Sequence, residues 1–238
     1  ELHPWRNWPT IHRGVYNFEH NIRFINQDLN SAKKFKPIWE ILSNENIDVG
    51  IYGSLQSYPP IRNKNIKFYL PDTFSPDAEA IPQNLSIFQS FNLSMVNKNK
   101  AISRSITNSQ LKVFFELMKK GVISLKSFKL ILKHLIKEKL NIKNKSRRSF
   151  VQNIIGFDLF LQIVQEHKPT FCTYFTNHVA GMMHRYWRDL FPEDFNLEKN
   201  EVDTFHSKSI LKGMEIADRD LTQLLKFLKS NNYDLWVI

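Results

Sequence analysis

The stretch Phe35-Lys36-Pro37-Ile38-Trp39-Glu40-Ile41-Leu42, followed after a polar break by Asp48-Val49-Gly50-Ile51-Tyr52-Gly53, decides the fold class. In the first half apolar residues recur at helical spacing. The second half is a short β-branched and aromatic run closed by glycine, the pattern of a strand buried on both faces. A helix feeding a buried strand is the repeating step of an α/β architecture, in which helices cover a mostly parallel sheet.

Working outward, Pro59-Pro60 and Tyr69-Leu70-Pro71-Asp72-Thr73-Phe74-Ser75-Pro76-Asp77, with Pro82 beyond, exclude regular helix or central strand, because proline lacks the donor and fixes φ. This region is expected to be an ordered loop over the end of the sheet, with Asp72 and Asp77 as turn-forming carboxylates. From Thr107-x-x-Gln110, a capping-box pattern, to Gly121 the period becomes helical, with Leu111, Phe114, Phe115 and Met118 on one face. A second helix is predicted from about Ser124 to Leu140, with Leu125, Phe128, Leu132, Leu135 and Ile136 inward and Lys126, Lys129, Lys133 and Lys137 on a solvated face. A third, apolar over most of its circumference, runs from about Ser149 to Glu166. Pro169 to Thr176 alternates as a strand and carries Cys172, read as inert core. A long helix over Ser207 to Ser230 carries the stripe Ile210, Met214, Ala217, Leu221, Leu224, Leu228. Tyr233 to Ile238 reads as a final strand. The expected division is an α/β core over 1–96 and 151–238, with a helical insertion or cap over 97–150.

The chain has 238 residues, 42% apolar and 13% aromatic, enough to bury one or two cores, which excludes a disordered or fibrous protein. One cysteine excludes a disulfide framework, and no apolar run reaches the length of a membrane-spanning helix. The net charge of +10 suits a polyanionic partner, yet the lysines form no block of five or six and accompany a general richness in Asn and Ile. A polyanion-binding module is therefore carried as an alternative, with nucleic acid disfavoured. Glu1 opens the chain without a leader, and Tyr233 to Ile238 closes it on an apolar strand pattern. A piece of a longer protein is expected, with the cytoplasm slightly favoured as its compartment and the oligomeric state open.

In open α/β sheets, ligands gather outside the carboxyl ends of the strands. Two polar clusters fall where that rule places them: His3 to Gly14, with Thr10, His12 and then His20, and Thr176 to Trp187, with Asn177, His178 and His184. The order Trp8-Pro9-Thr10-x-x-x-Gly14 with Glu19-His20-Asn21-Ile22, then Ile38-Trp39-Glu40-Ile41-Leu42 and Val49-Gly50-Ile51-Tyr52-Gly53, resembles the start of the alkaline phosphatase superfamily. The branch it is most similar to is the type I phosphodiesterase and nucleotide pyrophosphatase group. Asn177 to Trp187 resembles that group's strand-end Asp-x-x-x-His motif, and Leu211 to Ile238 resembles the helix and strand leading into its Asp-His-Gly motif. The resemblance covers about residues 1–55 and 165–238.

That resemblance implies an alkaline phosphatase-like fold and a hydrolase of small-molecule phosphoesters or phosphodiesters. It also implies two divalent cations, zinc by preference, that neutralise the attacking and leaving oxygens while a Thr or Ser is phosphorylated in line. On this sequence it implies Thr10 as the candidate nucleophile, His184, His178 and Asn177 as candidate metal ligands, and His3, His12 and His20 as candidate substrate-binding residues. The family's remaining metal motifs would lie before Glu1 and after Ile238. The sequence departs from the pattern at three positions: Pro4 stands where the nucleophile falls, Ala180 where the strand-end carboxylate falls, and Asn21 where a glycine follows the first histidine. These departures make the same fold without catalysis, a binding or scaffold protein, the second alternative.

Overall fold

A computed structural model describes residues 3–25, 27–96 and 108–238. In chain order the elements are α1 (Pro4–Arg13), α2 (Asn17–His20), α3 (Ile38–Asn44), β1 (Val49–Tyr52), β2 (Ile66–Leu70), α4 (Ser86–Val96), α5 (Asn108–Lys119), α6 (Leu125–Leu140), α7 (Arg148–His167), β3 (Phe171–Tyr174), α8 (His178–Leu190) and α9 (Ser209–Asn231). The chain is α/β: helices dominate and flank a small parallel sheet of order β2-β1-β3. Among the described residues, no helix is long and apolar enough to cross a membrane.

The chain divides into two compact units, Glu1–Lys120 with Gln162–Phe175, and Gly121–Leu161 with Thr176–Ile238. The segment 97–150, expected as one insertion, is thus shared between them, α5 belonging to the first unit and α6 to the second.

The first unit holds the sheet. β1 is the central strand, in register with β2 as Gly50 opposite Phe68 and Tyr52 opposite Leu70, and with β3 as Gly50 opposite Cys172. Burial on both faces explains its uninterrupted apolar character. Trp39, Val49, Ile51, Ile66 and Tyr69 form the core, with Ile38 and Leu42 of α3 packed on it. Each such side chain contributes about 1.5–3 kcal/mol on burial. Gly50 is there because a Cβ would stand 2.2 Å from the Phe68 ring, and Phe68 is fully buried. β2 departs from the expectation of loop at Tyr69 and Leu70. The strand runs up to Pro71 and stops there, since proline cannot donate to the ladder.

Beyond β2 the expected ordered loop is present. The Asp72 carboxylate accepts from the Phe74 backbone N–H at 2.8 Å, and the Gln89 side-chain amide of α4 donates to the Asp72 carbonyl and the Ser75 hydroxyl. Asp77 accepts from the Tyr58 hydroxyl at 2.8 Å and from the Glu79 N–H.

The second unit is built on Phe150, Met182 and Ile210, from α7, α8 and α9, with Tyr186, Leu190 and Ile216 around them. Here the helical faces rotate from those expected. α6 starts on Ser124, whose hydroxyl accepts from the Ser127 N–H, but it buries Ser127 and Ile131 and leaves Leu125, Leu132 and Ile136 exposed. α9 buries Ile210, Gly213 and Asp220 and exposes Met214 and Leu221. In α5, of the first unit, Leu117 is buried, while Leu111 and Phe115 are exposed. Gly121 closes it with φ of 68° as expected, and Thr107 of the capping-box pattern lies outside the described residues. Tyr233 to Ile238 is not a strand, and Trp236, Val237 and Ile238 are exposed.

Candidate functional site

Because all three strands are parallel, their carboxyl ends lie at one edge of the sheet. α1 packs against the residues that leave that edge. Trp5 meets Phe74, just past β2, edge-on at 4.9 Å between centroids, and Trp8 meets Phe175, just past β3, edge-on at 5.1 Å. Farther along α1, the His12 ring stands on Trp39 of α3 at 4.8 Å. Past β1, Gly53 has φ of 70° and would place a Cβ 3.0 Å from the Phe175 carbonyl oxygen, so only glycine fits the turn. The next residue, buried Ser54, donates its hydroxyl proton to the Thr173 hydroxyl oxygen at 2.8 Å. Ser54 and Thr173 were not singled out from the sequence, although the strand-end rule points at the residue after Gly53.

α1 starts with His3 as N-cap and Pro4 at its first position, where a missing N–H costs nothing because the helix has no acceptor for it. Pro4 is therefore the start of a helix, with no group to attack phosphorus. Gly14 and Asn21, both with positive φ, end α1 and α2 and fold the second helix back on the first. This turn brings together two predicted residues ten apart. His20, fully buried, has its Nε2 3.0 Å from the Thr10 hydroxyl oxygen.

The protons on that pair can be assigned by elimination. The Ile22 backbone N–H donates to His20 Nδ1 at 3.0 Å, so Nδ1 carries no hydrogen and Nε2 does. The Thr10 hydroxyl donates to the Arg6 carbonyl at 3.0 Å, leaving its oxygen to accept from Nε2. His20 is thus neutral and a donor towards Thr10, which ties α2 to α1. Burial lowers its pKa, and the Arg13 charge adds to that. Desolvation holds His12 at about 4, again with Arg13 contributing. Asp72 shifts the other way: burial raises it, opposed by backbone hydrogen bonds from Phe74, Ser57 and Gln56.

Asn177, His178 and His184 belong to the second unit. Asn177 is the N-cap of α8 and is exposed, as is His184. They stand seven residues apart, about twice the i,i+3 or i,i+4 spacing at which helical side chains meet. His178 faces inward. Its Nε2 donates to the Gly213 carbonyl at 3.1 Å, which leaves Nδ1 an acceptor 2.9 Å from the Thr176 hydroxyl, whose single proton goes either to Nδ1 or to the Asn153 side-chain oxygen. Burial lowers its pKa to about 4. Thr176 continues to the Asn153 side-chain oxygen at 2.6 Å, the Asn153 amide donates to Asp220 at 2.6 Å, and Arg219 binds the other Asp220 oxygen. This buried relay, centred on Asn153 and Asp220, had no signal in the sequence, since its members come from α7, α9 and the loop before α8.

Among the described residues, no group of three or more His, Cys, Asp or Glu is placed to hold a metal ion. The donor set present therefore does not by itself make the two-cation centre that the resemblance implies. No family model, curated protein or solved structure matches the chain.

Proposed function

We propose that this chain is a domain of a metal-dependent phosphoester or phosphodiester hydrolase built on the alkaline phosphatase plan, acting on a small-molecule phosphoester. The observation that carries the reading is the convergence of three parallel strand ends at one edge, with α1 packed on the residues that leave it. Backbone N–H groups of strand-end turns are what a phosphate needs, and open α/β sheets bind ligands there. On this reading the Thr10 oxygen bonds phosphorus as the ester oxygen leaves with the electron pair of its P–O bond, and this requires the Ile22 to His20 hydrogen bond to break so that the imidazole proton moves from Nε2 to Nδ1 and Nε2 can take the hydroxyl proton. No reaction step is assigned to a metal ion, since the described residues do not assemble its ligands.

A second reading, the same fold kept for binding without the reaction, is favoured by the same proton assignment together with Pro4 at the helix start. The two are separated by assaying the protein in its full reading frame with zinc or manganese on p-nitrophenyl phosphate and bis(p-nitrophenyl) phosphate. The hydrolase reading predicts metal-dependent turnover that falls by about a hundredfold or more in Thr10→Ala. Binding of p-nitrophenyl phosphate without turnover supports the second reading. Neither binding nor turnover overturns both.

A further inference from the structure

The exposed face of α6 is made of leucine, isoleucine and lysine alone. Its exposed residues are Leu125, Leu132, Ile136 and Leu140 with Lys126, Lys129, Lys133, Lys137 and Lys139, and no others. Wound at 100° per residue, the four apolar side chains form one row, with Lys129 within it, Lys126, Lys133 and Lys137 along one side and Lys139 along the other. Leu125 and Leu140, at the two ends of the row, are 81% and 82% exposed, so the row runs about 22 Å along the helix with both ends open. None of the five lysines has an ion pair among the described residues. The single acid of the helix, Glu138, is turned away and bound to Arg148.

We propose that this face of α6 docks on an anionic lipid bilayer, lying in the plane of the headgroups. The lysines complement the anionic surface, and their long apolar stems let the charges reach the phosphates while the leucines enter the acyl boundary. Each half of the composition excludes a competing occupant. Nucleic acid rewards the lysines but gains nothing from two almost fully exposed leucines, and a second copy of the helix would bring five like charges against five. The contact is interfacial, consistent with the absence of a membrane-crossing helix among the described residues.

The test is co-sedimentation of the whole chain with vesicles of phosphatidylcholine alone and with about 30% phosphatidylserine added. Binding is expected only to the anionic vesicles and weakens with salt. Replacing Lys126, Lys129, Lys133 and Lys137 by Gln lowers the partition coefficient about fivefold per lysine. Leu125→Ser and Leu140→Ser lower it about tenfold each without changing the salt dependence. Lys226→Gln with Lys229→Gln, on exposed positions of α9, leaves it unchanged. All the substituted positions are exposed, and far-UV circular dichroism checks that the helices persist. Absence of vesicle binding, equal binding to neutral vesicles, or leucine variants that bind like the parent would each overturn the proposal. So would lysine-dependent binding of duplex DNA in the absence of vesicle binding.

Discussion

Replacing Thr10 by Val keeps the shape of the side chain and removes the hydroxyl, which leaves the buried His20 Nε2–H without its acceptor 3.0 Å away. The Arg6 carbonyl still accepts in the α1 ladder, so the loss is concentrated on the imidazole. An unsatisfied buried donor costs about 1–3 kcal/mol, and His20 itself is fully buried. The expected destabilisation is about 2 kcal/mol, measured by urea unfolding at neutral pH with m unchanged. Thr10→Ser keeps the acceptor and should lose less than about 1 kcal/mol. In a double-mutant cycle with His20→Ala, the Thr10→Val cost should shrink by about 1 kcal/mol or more, because the stranded N–H is gone. A Thr10→Val protein within about 0.5 kcal/mol of the parent, or strictly additive effects in the cycle, would refute the proton assignment.

The remaining expectations concern the sheet and the histidines. Gly50→Ala forces a Cβ to within 2.2 Å of the Phe68 ring and should destabilise the sheet unit by about 3 kcal/mol; Phe68→Leu in the same chain should recover part of that, and independent effects of the two changes would contradict the packing. His12 and His178 have folded pKa values of about 4 against an unfolded value of 6.5, so the unfolded chain binds more protons between those limits. Stability is therefore full above pH 6.5, falls as pH drops towards 4 and levels off below. A denaturant midpoint flat from pH 7 to pH 4.5 would count against both burials, and one unaltered in slope by His12→Gln would count against that of His12.

The sheet was legible wherever a strand is short, buried on both faces and free of proline. Val49 to Tyr52 meets those conditions, and Phe171 to Tyr174, only half-buried, was legible from its β-branched and aromatic alternation instead. β2 was masked because Lys67 interrupts its apolar run and Pro71 follows at once, so that the proline signal outweighed the strand signal. The positions of α3, α5, α6, α7 and α9 were legible, those of α1, α2, α4 and α8 were not, and the buried faces of α5, α6 and α9 were misassigned. α6 has more leucines and isoleucines than one face can bury, and periodicity alone cannot say which of two apolar rows packs inward. Much the same ambiguity applies to Leu111 and Phe115 of α5 and to Met214 of α9. At the site, the two polar clusters were found from their composition, although most of each is helix, α1 and α8. The Thr10 to His20 contact depends on the positive φ at Gly14 and Asn21, and the Asn153 to Asp220 link joins residues 67 positions apart, beyond the reach of any local pattern.

The claim that a phosphoester is held at the carboxyl edge of the sheet is tested most directly by hydrogen exchange with and without p-nitrophenyl phosphate, resolved to peptides at the two ends of the strands. The account predicts slowed exchange at Gly53 and Ser54, at Asp72 to Phe74 and at Phe175, with no change at the opposite ends around Asp48, Asn65 and Thr170. Protection confined to those opposite ends, or none anywhere at saturating ligand, would contradict it.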